Sequence, residues 1–401
     1  MSFVAPLGIT WRIFTVWRGP PANRNALAAE LTSAHNRKLH FDLYGPATAG
    51  IDLDGRSPET ATIAELSQDL VFRRFRPFDG GYDTYFRGPI GHSEDSLDGT
   101  NHSTNVQAAD YRALLGRTIA PAYVATAQLQ ENIVGMLVNP SLWNQAYPAN
   151  QGLNYEGALN PDGSGLVGNT GTTRTITYTG TEQVGAEIDK LATMQGGFDW
   201  GAEPWPSGWG TFDPNVATGT VRLYYPQRGV SQPFVAEYGV NVASVKRTVD
   251  STTFANWVQY TGQSGTAAQV AAGDVMTNPQ SHSEGLWQET KADANTASTA
   301  LLLAEAQHDL AFDSVLTPTY QLTLSPGAWH SQSDCWLGDT IRVRVQSGRL
   351  AVDINVRIMQ VDITLDDAGN ETIALTVARP PRTLAQVLGA QNQNLYQLNR
   401  R

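Results

Sequence analysis

The stretch "GDTIRVRVQSGRLAVDINVRIMQVDITLDDAGNETIALTV", Gly338 to Val377, decides how the chain is read. From Ile341 to Val345 apolar residues alternate with Thr340, Arg342, Arg344 and Gln346. The alternation resumes through Val352, Ile354, Val356 and Ile358, slips by one residue at Met359, and continues on Val361, Ile363 and Leu365. A period of two places successive side chains on opposite faces of a strand, so the stretch is a half-buried β-ribbon. A one-residue slip is what a β-bulge leaves in a sequence, and bulges bend strands at sheet corners. A turn symmetric about Gly369 sets Leu365 opposite Ile373, Ile363 opposite Leu375 and Val361 opposite Val377, three apolar pairs on one face. The polar face carries Arg, Asp, Asn and Gln without any catalytic constellation, so the ribbon reads as a wall.

Composition agrees with a β-rich chain. The 401 residues are 41% hydrophobic and only 16% charged, with 37 Gly and 21 Pro. That profile fits a turn-rich β protein of several domains better than a charged helical one. The net charge of −11 repels phosphate and argues against free nucleic-acid binding. A single cysteine, Cys335, excludes an internal disulfide framework and a multi-cysteine zinc site. The start "MSFVAPLGITWRIF" lacks the basic and apolar regions of a signal peptide. No run approaches the ~20 apolar residues of a membrane span, so synthesis and folding in a host cytoplasm are expected.

Five segments follow from the patterning. Residues 1–118 carry short strand signals, including Leu39, Phe41 and Leu43 alternating with polar residues, and form a first β-rich domain. Residues 119–215 form a helical and loop-rich insertion. One helix there carries Leu129, Ile133, Met136 and Leu137 and stops at Asn139-Pro140; a second starts near Thr181 with Val184, Ile188 and Leu191 on one side. Residues 216–290 are a β-rich middle domain. Residues 291–380 join the longest helix, capped by Asn295 with Ala297, Leu301, Ala304, His308 and Phe312 on one face, to the opening ribbon. Residues 381–401 form a polar C-terminal helical tail. The fold class is β-dominated α+β.

Candidate chemistry is sparse. Gly163, Gly165 and Gly168 have G-x-G-x-x-G spacing but lack the preceding strand and following helix that a dinucleotide site requires, and read as a loop. His92, Glu94, Asp95, Asp98 and His102 offer donors for a divalent metal, yet on a loop they have no fixed geometry, and a solvated hairpin loop is the competing reading. Trp200, Trp205 and Trp209 could stack on sugars, make protein contacts, or plug a barrel end. Cys335 reads as a small packed residue and His308 as a core histidine. No nucleophile elbow, kinase loop or H-E-x-x-H motif occurs. No catalytic, cofactor-binding or metal-binding residue is therefore assigned, and no enzyme activity is expected.

The order of four segments resembles a known family. "YFRGPIGHSEDSLDGTNHSTNVQAADYRALLGRTI" offers Gly88, Ile90, Val106, Asp110, Leu114 and Arg117; "GGFDW" offers Gly197, Phe198 and Trp200. "VASVKRTVDSTTFANWVQYTGQ" and "GLWQETKADANTASTALLLAEAQHDLAF", followed by "PTYQLTLSPGAW" and "LGDTIRVRV", complete the order. In this the chain resembles minor tail proteins of long-tailed actinobacteriophages, related to the tail-tip hub, tail-associated and baseplate hub family. The resemblance implies a homotrimer at the distal end of the virion tail, each subunit giving two β-barrel-like tube domains, a first in residues 1–118 and a second, with the long helix, in residues 291–380, to a ring. It implies contacts with the distal tail protein, the tape-measure protein and other minor tail proteins. DNA passes through such a ring without specific binding, provided its lumen is not lined by Arg73, Arg74, Arg342, Arg344 and Arg357. Two other readings stand beside it: a receptor- or carbohydrate-binding tail protein using the Trp-rich segment, and a metal-dependent hydrolase built on His92 to His102.

Overall fold

The computed structural model describes residues 11–18, 25–76, 81–138, 153–166, 173–193, 197–204, 219–252, 254–262, 265–292, 299–316 and 318–378. Strands dominate, with four α-helices among the described residues. The chain divides into two compact units, one made of Met1–Val245 with Leu322–Val377 and the other of Lys246–Gln321 with Ala378–Arg401.

The first unit is organised by the opening ribbon. Strand Val352–Leu365 lies between Glu371–Ala378 and His35–Asp42 in the main sheet, which continues through Thr48–Asp54, Asn101–Ala109, Gly81–Asp98, Gln68–Arg76 and Trp11–Trp17 to Leu27–Glu30. Strand Thr340–Val345 pairs antiparallel with the first half of Val352–Leu365 and parallel with Ser231–Glu237. The sheet thus joins strands from the two ends of the sequence: Val361 lies opposite Phe41 and Ile363 opposite Leu39. The sheet path is open, from Val242–Thr248 to Leu27–Glu30.

The slip in the apolar pattern marks an exchange of partners. Val352–Arg357 pairs with Thr340–Val345, whereas Gln360–Leu365 pairs with Arg37–Asp42. Val356, Ile358, Val361, Ile363 and Leu365 are all buried despite the change of parity. The turn that follows differs from the symmetric one expected. Asp366 N–H donates to the Asn370 carbonyl at 3.1 Å and Gly369 N–H to the Asp366 carbonyl at 3.0 Å. With Gly369 at φ +83, this is a three-residue loop with a left-handed third residue. Asp366 therefore faces Asn370, which sets Ile363 against Ile373 and Val361 against Leu375. The offset from the expected pairing is two residues, so the same face stays buried.

Behind this sheet lies an aromatic core. Tyr85 meets Trp11 at 5.1 Å and Trp336 at 5.7 Å, Trp336 lies 5.0 Å from Phe41, and Trp329 stacks on Trp336 at 6.0 Å. Such ring pairs contribute about 0.5–1.5 kcal/mol each beyond area burial. A second core gathers the helices and small sheets of residues 111–225. Val184, Ile188 and Leu191 of helix Val184–Thr193 are fully buried, as the i, i+4, i+7 spacing predicts. They pack with Ile133, Val134 and Leu137 of helix Gln130–Val138 and with Trp200, Val221 and Leu223.

The second unit is a three-stranded sheet of Ala267–Ala271, Trp257–Thr261 and Gln288–Ala292 packed against helix Thr299–Asp313. Its core is Ala255, Val258 and Ala306, with Leu310 against it. The helix turns Leu302 and Ala306 inward and leaves Ala304 exposed. This corrects the face expected for Ala304: a sequence as apolar as "TALLLAEA" offers more than one stripe, and packing selects among them. The side chains of Leu301, His308 and Phe312, the Asn295 cap and the tail 381–401 lie outside the described residues. Among the described residues no helix is long and apolar enough to cross a membrane.

Candidate functional site

The densest polar feature of the first unit sits where strand Val352–Leu365 changes partner. Arg357 shares the parity of the exposed Asp353 and Asn355, yet it is covered at that point and its side chain is 2% exposed. Its Nε donates to the Gly338 carbonyl at 3.0 Å, one terminal nitrogen to the Arg228 carbonyl at 2.7 Å and to the Asp199 carboxylate, and the other to Tyr44 Oη at 3.2 Å. Two loops cross there back to back. A Cβ on Gly229 would stand 2.1 Å from the Gly338 carbonyl carbon, and one on Gly338 would stand 2.6 Å from the Arg228 oxygen. Both glycines have φ near +90°, at +88 and +86. Asp339 fastens the crossing by accepting from Val230 N–H at 2.9 Å, Trp336 N–H at 2.9 Å and Gln232 Nε2 at 3.0 Å. The "GD" of the opening stretch is thus a crossing point.

The charge network continues outward along the strands Asp199–Pro204 and Gly219–Tyr224. Glu203 accepts from Arg228 at 2.6 Å, Arg222 at 2.9 Å and Tyr224 Oη at 2.6 Å, and Arg222 also meets Glu156 at 2.6 Å. Burial works to raise the Glu203 carboxyl, but the two guanidiniums outweigh it and hold it below the usual carboxylate range. A cleft of about 160 Å³ opens beside Glu203, lined also by Arg112, Asp110, Arg222, Arg228 and Trp336. Its charges are matched internally, which suits a structural seam and supplies no unpaired nucleophile.

The arginines singled out as possible lumen charges are engaged elsewhere. Arg357 is buried as described. Arg74 grips Glu371 through two bonds of 2.8 and 3.0 Å and lies over the Trp329 ring. Arg342 makes a bidentate pair with Asp353 at 2.6 and 2.7 Å, Arg344 reaches Glu237 at 3.4 Å, and Arg73 lies over Tyr82. A guanidinium facing its own carboxylate attracts passing phosphate far less than a free one.

The other candidates resolve individually. Residues 91–105 form a long antiparallel ribbon, not the loop expected, with a tight turn at Gly99-Thr100. His92 lies opposite Gln107 and His102 opposite Leu97, so the two imidazoles are five positions apart along the ribbon, about 17 Å at strand rise. The structure does not bring His92, Glu94, Asp95, Asp98 and His102 to one point, and among the described residues no group of three or more His, Cys, Asp or Glu is placed to hold a metal. Trp200 is 3% exposed, donates Nε1–H to Asp189 at 2.8 Å and carries the Arg112 guanidinium 4.3 Å above its ring. Trp205 and Trp209 lie outside the described residues, as does Gly168, while Gly163 and Gly165 occupy a turn with positive φ. Cys335 is buried, and burial pushes its thiol up to about 12, which leaves no thiolate for chemistry near neutrality.

The residues that carried the family resemblance have structural roles. Gly88 is required because a Cβ there would stand 2.0 Å from the Ala109 carbonyl oxygen. Ile90 and Val106 are fully buried. Asp110 caps helix Tyr111–Leu115, accepting from Arg112 N–H at 3.0 Å, and its second oxygen accepts from Ala47 N–H at 2.9 Å. Sequence reasoning missed the Arg357–Asp199 pair, because Arg357 falls on the parity of the ribbon's polar face and spacing does not mark it as buried.

This is a β-dominated scaffold with internally paired charges and no assembled catalytic group among the described residues. Its fold is that of phage tail proteins. The 43 kDa tail protein of prophage MuSo2 from Shewanella oneidensis superposes with a TM-score of 0.60 at 12% identity, over 92% of this chain and 99% of that one. A tail protein from Neisseria meningitidis gives 0.56 at 14% identity over 92% and 97%, and a prophage tail protein from Listeria monocytogenes gives 0.51 at 12% over 96% and 99%. By sequence the chain matches no family model and no curated protein.

Proposed function

We propose that the chain is a structural protein of a phage tail, a trimeric hub ring that closes or extends the tail tube at its tip and serves as conduit for DNA ejection. The observation that carries this reading is the likeness to prophage tail proteins along nearly the whole length of both chains. In this reading each subunit contributes two tube domains, so three subunits present six similar walls to a sixfold tube. The ring holds the end of the tape-measure protein and contacts the distal tail protein and other minor tail proteins. DNA slides past because the net charge of −11 per chain offers phosphate little to hold and Arg74, Arg342, Arg344 and Arg357 each face a carboxylate of the same chain. A long-tailed phage of actinobacteria is the proposed source. The burial of Trp200 counts against a sugar platform at that residue.

Native mass measurement tests the ring. Three chains of 43.4 kDa give a species near ~130 kDa. A stable species of one chain mass at micromolar concentration, unchanged by the neighbouring tail proteins, sinks the hub reading.

A further inference from the structure

Strand Gly81–Asp98 is served by two different neighbours. Its first half, Gly81–Pro89, pairs with Gln68–Arg76, and its second half, from Ile90 onward, pairs with Asn101–Ala109 on the opposite edge. Pro89 ends the first pairing, as expected of a residue without an N–H to give. Beyond Leu66 N–H, which donates to the Ile90 carbonyl at 2.9 Å, no strand among the described residues pairs with the outer edge of Gly91–Asp98. That segment is exposed on both faces apart from the half-buried Ser93, and Leu97 is 72% exposed. Free edges of this length template pairing with another chain unless something blunts them.

Charge selects what can pair there. Residues 91–105 contain Glu94, Asp95 and Asp98 and neither lysine nor arginine, and Glu65 stands beside Ser93. Pairing the segment with the same segment of a second copy would set carboxylates against carboxylates, which is destabilising. Six of the chain's own arginines, Arg74, Arg87, Arg112, Arg222, Arg228 and Arg357, already face a carboxylate of the same chain. We propose that the edge Gly91–Asp98 receives a lysine- or arginine-bearing β-strand from a different polypeptide, which extends the sheet by backbone hydrogen bonds and matches Glu94 and Asp98, which share one face of the strand, with its side chains. This goes beyond the tail reading and does not depend on it.

Hydrogen exchange on the full chain tests the proposal, with an acetylated heptapeptide of alternating lysine and valine as probe and a glutamate–valine heptapeptide as control. The lysine peptide slows amide exchange within Gly91–Asp98 by about tenfold or more, an effect weakened by 1 M salt. The control leaves exchange unchanged, and the triple variant Glu94→Gln, Asp95→Asn, Asp98→Asn loses most of the protection. Equal protection by both peptides, or none by either, overturns the proposal. Protection that grows with protein concentration and no peptide overturns it in favour of a second copy.

Discussion

Arg357 and Asp199 lie 158 residues apart in the chain and meet in the interior as a hydrogen-bonded ion pair, at the point where the longest strand of the ribbon changes partner. The pair ties the main sheet to strand Asp199–Pro204, and the Gly338 and Arg228 carbonyls complete the shell of the guanidinium. A buried pair is weak evidence of net stabilisation, but removing one member leaves a charge stranded. Asp199→Ala is expected to cost about 3–5 kcal/mol. Urea denaturation followed by tryptophan fluorescence measures it; a loss below about 1 kcal/mol would mean the pair is not the fastening described.

The glycine crossing makes a second, graded prediction. Gly369 has φ +83 with open space around its Cβ position, so Gly369→Ala costs only left-handed backbone strain, about 1–2 kcal/mol. Gly338 has φ +86 and would drive its Cβ to 2.6 Å from the Arg228 oxygen. Gly338→Ala is therefore more destabilising than Gly369→Ala, and Asp199–Arg357 contact is lost with it. Thermal midpoints of the two variants decide the order; equal midpoints contradict the crossing.

Asp110 predicts a pH dependence. Burial pushes its carboxyl up to about 7 against the pull of the Ala47, Ala113 and Arg112 amides. Between about pH 4 and 7 the folded carboxyl holds a proton that the unfolded one has released, so stability from this group falls as pH rises through that window. The swing is at most about 4 kcal/mol. Asp110→Asn keeps an oxygen for the helix cap and removes the titration, so the variant gains on the parent as pH rises from 4 to 7. A parallel pair of stability–pH curves rules the effect out.

Trp200 separates a core role from a sugar platform. It is 3% exposed, bonded to Asp189 and covered by Arg112. Trp200→Ala is expected to destabilise by about 3–5 kcal/mol. Titration of the parent with cell-wall fragments is expected to leave the fluorescence contribution of Trp200 unchanged. A binding loss at undiminished stability would reverse the assignment.

What the sequence disclosed and what it hid divide along physical lines. Periodicity reports burial, so Val361, Ile363 and Leu365, and Val184, Ile188 and Leu191, were legible from spacing alone. Turn register depends on loop type, and a three-residue loop in place of a symmetric one moved the pairing by two without disturbing the buried face. The His92–His102 segment contains the Ser, Gly and Asp of a loop, yet pairing with Asn101–Ala109 and its onward contact with Thr48–Asp54 make it a strand. Ala304 was misplaced because an apolar helix offers several faces. The Arg357–Asp199 pair was invisible because a long-range ion pair leaves no local pattern, and Arg357 has the parity of the polar face.

The central claim, a structural component of a phage tail tip, is tested most directly by imaging virions labelled with an antibody to this chain. The account predicts label at the distal end of the tail, close to the tube axis. Label on the capsid, along the tail shaft, or absent from purified virions contradicts it.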